Sequence, residues 1–93
     1  TNEEIISNNS LSHFVSYNDN NVYLHYNLKY NMHVDIKLYS ITGQMVANLK
    51  NEFSFQGKHI INVTEIVGNQ ASGSFIYRIA TRNGFYSKLL VLQ

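Results

Sequence analysis

The sequence predicts an all-β fold, two antiparallel sheets packed as a sandwich, and three observations carry that prediction. Short runs alternate apolar and polar residues with a period of two, the signature of strands with one buried face. Turns rich in Asn and Gly separate these runs at regular spacing. No segment carries a convincing 3.6-residue apolar pattern, while the chain lacks Pro and holds seven Tyr and five Phe beside many Ile and Val. Aromatic and β-branched side chains suit a pleated surface.

The elements follow in order. Residues 1–10 are polar, open with Glu3 and Glu4, and read as a linker in which Ile5-Ile6 has the character of a short strand. The domain proper is expected over residues 11–93. Leu11, His13, Val15 and Tyr17 alternate with Ser12, Phe14 and Ser16 and predict the first strand. Asn18-Asp19-Asn20-Asn21 is a turn, because Asn and Asp tolerate left-handed backbone and bond their own main chain. Val22, Leu24, Tyr26 and Leu28 then share one face, with Tyr23, His25, Asn27 and Lys29 on the other. After a break at Tyr30-Asn31, Val34, Ile36 and Leu38 alternate with Asp35, Lys37 and Tyr39.

Ser40-Ile41-Thr42-Gly43 predicts a tight hairpin in which Gly43 takes the positive φ of a bulged turn. Gly43 and the β-branched residues around it oppose a helix over residues 34–46. Met45 to Leu49 is the returning strand, and Asn51 to Lys58 a connection extended near Phe53 and Phe55. His59 to Thr64 is a strand with Ile61 and Val63 inward, followed by a loop over Glu65 to Ser72. The last hairpin runs from Gly73 to Arg82, turns at Asn83-Gly84 and returns over Phe85 to Leu92. Asn-Gly fits a type I′ turn, which needs positive φ at both central residues.

Composition narrows the function. Ninety-three residues make one domain, and 44% hydrophobic with 13% aromatic residues argue against overall disorder. A net charge of +1 gives no global attraction to nucleic acid or an anionic membrane surface. Without Cys there is no disulfide, zinc-thiolate site or thiol nucleophile. No apolar run approaches the roughly 20 residues of a membrane-spanning helix. With neither an initiator Met nor a charged-then-apolar leader, the chain reads as a piece of a longer precursor.

Four segments in order carry a resemblance. His33 to Val46 includes Val34, Ile36, Leu38, Tyr39, Gly43, Gln44 and Val46, and resembles the "V-x-I-x-L-Y-x-x-x-G-Q-x-V" segment of type IX secretion system C-terminal sorting domains. Gly57-Lys58-His59 through Val63 is similar to their "G-x-H-x-I-x-V". Ser72-Gly73-Ser74-Phe75-Ile76-Tyr77-Arg78-Ile79 resembles "S-G-x-Y-x-Y-R-I", with Phe75 where Tyr is usual. Lys88 to Leu92 resembles the terminal "K-x-x-V-x" block, followed here by Gln93 where Lys or Arg is common. The Asn-Pro turn that often opens the family domain is absent.

The resemblance implies an Ig-like sandwich of about seven strands at the end of an exported bacterial protein. It also implies a passage from the periplasm, through an outer-membrane translocon with its shuttle protein, to the cell surface of a diderm bacterium. A sortase-like cysteine protease then removes the domain and joins the cargo to an anionic lipopolysaccharide. Recognition is expected in the last two strands, at Gly73, Phe75, Ile76, Arg78, Gly84, Lys88, Leu89 and Val91. Gly43, Gln44, Gly57 and Asn83 are expected to serve the fold.

The residues of the last hairpin say something of their own. A two-residue Asn83-Gly84 loop would set Arg82 against Phe85, Tyr77 against Leu90 and Phe75 against Leu92. One face then carries Phe75, Tyr77, Ile79, Tyr86, Leu90 and Leu92, interrupted by Lys88, and is the expected core face. The other carries Ile76, Arg78, Ala80, Arg82, Phe85, Ser87, Leu89 and Val91. Its mixture of apolar and cationic groups suits either packing against another segment or a docking patch. If the last strand lies at a sheet margin, it could also pair with a partner strand or a second copy of the chain.

Chemistry is harder to find. His13, His25, His33 and His59 lack a short metal-ligand pair, and His25 and His33 fall on expected wet faces. Glu3, Glu4, Asp19, Asp35, Glu52 and Glu65 are scattered over turns and exposed faces rather than paired as acid and base. No nucleophile elbow or nucleotide-type glycine loop is present. The chain is therefore expected to be non-enzymatic and to need no cofactor. The rival reading is a surface binding module, either an Ig-like adhesion domain or one that binds sugar through Tyr23, Tyr30 and Tyr39. The lack of Trp and the fondness of Tyr for cross-strand positions weaken that reading.

Overall fold

The computed structural model describes residues 11–68 and 71–92. The expectations for residues 1–10, Asn69 and Gln93 lie outside the described residues. The strands are β1 (Leu11–Asn18), β2 (Asn21–Leu28), β3 (Met32–Ser40), β4 (Met45–Ser54), β5 (Gly57–Asn62), β6 (Gly73–Thr81) and β7 (Gly84–Leu92). One short helix, α1 (Val63–Val67), follows β5. Among these residues β1-β2-β5 form one antiparallel sheet and β4-β3-β6-β7 the other. The two pack as the expected all-β sandwich, with an Ig-like alternation in which the chain changes sheet after β2, β4 and β5.

Local chemistry fixes the hairpins. Asp19 (φ 53°) and Asn20 (φ 68°) both adopt left-handed backbone. That is what the two central residues of a type I′ turn require, so β1 and β2 pair directly from Asn18–Asn21 to Leu11–Leu28. Between β3 and β4 the Gly43 N–H donates to the Ser40 carbonyl (3.0 Å), and the Ser40 N–H donates to that of Gln44 (2.8 Å). Gly43, at φ 100°, takes the position a side chain would strain.

The core forms where the inner faces meet. Val22, Leu24, Tyr26 and Leu28 of β2 are buried against Val34, Ile36 and Leu38 of β3 and Tyr77, Ile79, Leu90 and Leu92 of the last hairpin. These are the alternating positions the sequence marks. Removing a side chain such as Leu24 or Ile36 leaves a cavity that costs about 2–5 kcal/mol.

Three expectations need correction. First, β4 runs to Ser54 rather than ending at Leu49. Its register slips twice against β3, skipping Leu49 and Val46. These bulges break the period-two pattern, and the first leaves Leu49 in the core, 6% exposed. Second, β5 spans Gly57–Asn62, so the strand expected to reach Thr64 stops early. Asn62 caps α1, its Oδ1 accepting the Glu65 N–H at 3.0 Å, and part of the expected loop is helical. Val63 is buried as expected, although from the helix. The Thr64 hydroxyl, also buried, accepts the Val22 N–H at 2.9 Å and ties α1 to β2.

Third, the last hairpin turns at Arg82-Asn83, with Thr81 opposite Gly84. Tyr77 therefore faces Lys88 instead of Leu90, and Phe75 faces Leu90 instead of Leu92. Gly84 alone takes positive φ (138°), while Asn83 does not. The turn is thus not the type I′ that Asn-Gly suggests, and the Asn83 N–H is held by Thr81 Oγ1 at 3.1 Å. Every pair has moved by two positions along the partner strand, which preserves the faces: Phe75, Tyr77, Ile79, Tyr86, Leu90 and Leu92 still point inward.

Candidate functional site

The outer face of the four-stranded sheet is where the last hairpin presents what its own core does not use. The registers of β4, β3, β6 and β7 resolve that face into rows. Met45, Tyr39, Ile76 and Leu89 align across all four strands. Next to them lie Asn48, Lys37, Arg78 and Ser87, and then Asn51, Asp35, Ala80 and Phe85. Beyond Leu89, Val91 stands opposite Ser74.

The first row is an apolar stripe open to solvent at both ends. Met45 and Leu89 are each 56% exposed and Val91 is 40% exposed, with Tyr39 and Ile76 half-buried between them. Ile41 and Val46, both exposed, extend the stripe at the β3–β4 turn. The second row is cationic. Lys37 and Arg78 face each other, an arrangement that repels unless neutralised. Asp35 pairs with Lys37 at 2.5 Å and relieves the repulsion. Arg78 instead lies over the Phe85 ring, 4.0 Å from its centroid. A cation held on an aromatic face keeps its hydrogen-bonding edge available for a carboxylate.

The sequence-marked residues divide. Ile76, Arg78, Leu89 and Val91 share this outer face, and Gly43 borders it through a shallow depression lined by Tyr39, Ile41, Ile76 and Phe85. Gln44 is exposed in the same turn. Phe75 and Lys88 belong to the opposite face: Phe75 packs on the core and Lys88 emerges at its margin. Gly73 opens β6 opposite Leu92, Asn83 sits in the two-residue tip, and Gly84 opens β7 opposite Thr81. Gly57 opens β5 in the other sheet, away from this surface. Met45 and Ile41 are members that sequence reasoning did not assign, and Tyr39 entered it as a sugar-binding candidate instead. Their alternation is visible, but the register that aligns them with Ile76 and Leu89 is not.

The margin of the hairpin has its own structure. β7 is the end strand of its sheet in the observed order. The Val91 N–H, which points away from β6, donates to the Tyr17 hydroxyl of β1 at 3.2 Å. His13, also on β1, bonds the Tyr77 hydroxyl through Nδ1 at 2.6 Å and meets the Tyr77 and Tyr86 rings edge-on. Burial and the nearby Lys88 ammonium lower the His13 pKa from its ordinary value. Burial pushes the Tyr77 phenol up to about 12.

The remaining histidines each have an intramolecular partner. His25 Nε2 bonds Ser16 Oγ (2.7 Å) and its ring stacks on Phe14. His33 bonds Asn51 Oδ1, and His59 bonds the Phe55 carbonyl while stacking on Tyr26. Among the described residues no group of three or more His, Asp or Glu side chains converges as metal ligands would. Nor is any helix among them long and apolar enough to cross a membrane.

No protein-family model matches this chain, and no curated protein is significantly similar to it.

Proposed function

We propose that this chain is a non-catalytic C-terminal sorting module that directs an exported cargo through a type IX outer-membrane translocon, with the outer face of the β6–β7 hairpin as its recognition surface. The observation that carries the proposal is the alignment of Met45, Tyr39, Ile76 and Leu89 beside Arg78 on a face the domain's core does not need. Three of the four ordered segments that resemble the sorting family lie on this hairpin and the neighbouring β3 with its turn into β4, while the Gly57 to Val63 segment lies in the other sheet and α1. A partner reading the face would cover the apolar stripe and set an acidic group on Arg78. Shuttle protein, translocon and surface protease act on the module in this reading, which takes it from the periplasm to the cell surface.

Fusion export tests it. A reporter with a leader peptide in front and residues 1–93 behind should reach the surface or medium of a host with a working type IX system. It should stay in the periplasm when the translocon is deleted. Retention of a folded fusion in the competent host would remove the proposal.

One observation favours a second reading, a carbohydrate-binding surface module. Phe14, His25 and Ile60 form a row on the outer face of the three-stranded sheet, with Phe14 and Ile60 exposed. Ser12, Asn27 and Lys58 flank it with hydrogen-bonding groups. Retention of the chain on immobilised polysaccharide, abolished by Phe14→Ala, would select this reading.

A further inference from the structure

We propose that Asn83 is a site of spontaneous, backbone-assisted deamidation that rewrites the tip of the C-terminal hairpin. The inference does not depend on the sorting reading. Asn83 is the asparagine of this chain that precedes a glycine. The following residue matters because its backbone nitrogen is the nucleophile, and a side chain there hinders the approach. Gly84 has none, and a Cβ built on it would meet nothing within 4 Å, so the neighbourhood of the attacking nitrogen is open.

The fold also engages four of the other asparagines. Asn31 and Asn62 hold backbone N–H groups with their carboxamides, Asn51 bonds His33, and Asn21 bonds the Asp19 carbonyl. Asn83 is exposed at the turn. Its backbone N–H is anchored to Thr81 Oγ1, and the adjacent Thr81–Gly84 pair closes the ladder. The tip of a hairpin opens at low free energy, which lets the Gly84 nitrogen reach the side chain.

The step balances without any co-reactant but water. The Gly84 nitrogen gives its proton to water or hydroxide and bonds to Asn83 Cγ. The Cγ–Nδ2 bond breaks, and ammonia leaves with a proton from solvent. Water then opens the five-membered imide. Cleavage between the Gly84 nitrogen and Cγ yields Asp. Cleavage between that nitrogen and the original main-chain carbonyl yields isoaspartate, whose backbone runs through Cβ.

Either product places a carboxylate beside Arg82. Isoaspartate also lengthens the backbone of a two-residue loop whose geometry sets the register of Ile76 with Leu89 and Arg78 with Ser87. The hairpin should therefore loosen from its tip as the protein ages.

The test is a time course of purified residues 1–93, kept folded in mildly alkaline buffer and mapped by proteolysis and mass spectrometry. An isoaspartyl methyltransferase serves as the probe of the isomer. The expected result is conversion at Asn83 at least about tenfold faster than at any other asparagine, a barrier difference of about 1.4 kcal/mol. Both Asp and isoaspartate should form there, and Asn83→Gln, which cannot readily close the five-membered ring, should stay unmodified at that position. The proposal is overturned if Asn83 converts no faster than the other asparagines, or if only Asp appears. Thr81→Val, which frees the Asn83 N–H, should accelerate the conversion, and an unchanged or slower rate would contradict the role given to tip opening.

Discussion

His13 Nδ1 lies 2.6 Å from the Tyr77 hydroxyl, one bond joining the outer strand of the three-stranded sheet to a central strand of the four-stranded one. In the Nε2–H tautomer the phenol donates to Nδ1. The partners suit each other because both resist charge. Burial and Lys88 disfavour the charged form of His13, and burial disfavours loss of the Tyr77 proton.

This pairing predicts a loss of stability at both ends of the pH scale. The folded-state pKa of His13 lies below that of the unfolded chain, about 6.5. As pH falls below that value the unfolded state takes a proton first, so stability declines until the folded His13 also titrates. The Tyr77 pKa is raised, so its contribution is full below about 10 and declines as pH rises towards about 12. Urea unfolding across pH should show the acid decline, and His13→Gln should flatten it. An acid slope unchanged in His13→Gln would assign the effect to other groups.

Tyr17→Phe should uncouple β1 from the margin of the hairpin with little thermodynamic loss. The bond from the Val91 N–H to the Tyr17 hydroxyl is exposed, so its removal should cost no more than about 1 kcal/mol. The informative readout is amide exchange at Val91, which should quicken while Leu90 remains protected. Unchanged exchange at Val91 would mean that the bond does not guard the edge.

Tyr26→Phe should be neutral or slightly stabilising, against the usual direction for a core residue. The Tyr26 hydroxyl is buried beside Ser54 and Lys50 but makes no hydrogen bond of good geometry among the described residues, and burial, the largest influence on it, raises its pKa. Removing an unsatisfied buried hydroxyl while keeping the ring relieves a desolvation cost of about 1–3 kcal/mol. An unfolding free energy from urea titration lowered by more than about 0.5 kcal/mol would show that the hydroxyl is satisfied in solution.

Leu89→Asp and Arg78→Ala should leave the fold in place. Leu89 is more than half exposed, and exposed substitutions of this kind usually change stability by about 0.5 kcal/mol. Arg78→Ala should cost about 0.5–1 kcal/mol, the worth of an exposed cation–aromatic contact. Thermal melts much lower than these values imply would mean that the outer face is structural.

The sequence disclosed most where alternation meets a two-sided environment. Val22 to Leu28 and Val34 to Leu38 obey the period of two because one face is buried and the other is not. The hairpin faces were legible although the turn was misplaced, since the displacement was by an even number of residues. The continuation of β4 past Leu49 was hidden because its bulges at Leu49 and Val46 break the alternation and its distal half is polar. Helix α1 is too short for a periodic signal, although Asn62 followed by Glu65 at the third helical position is a capping pattern that could have marked it. The Met45–Tyr39–Ile76–Leu89 row depends on the register of three strand pairs, information that no single strand contains.

The central claim is that this outer face is read by the export machinery. Its most direct test compares three reporter fusions in one competent host: the unaltered chain, Leu89→Asp, and Ile60→Asp as an equally exposed apolar control on the other sheet. Export of the first and third with periplasmic retention of a folded Leu89→Asp fusion is the expected result. Equal export of all three would contradict the role assigned to the face, and retention of the unaltered fusion would contradict sorting itself.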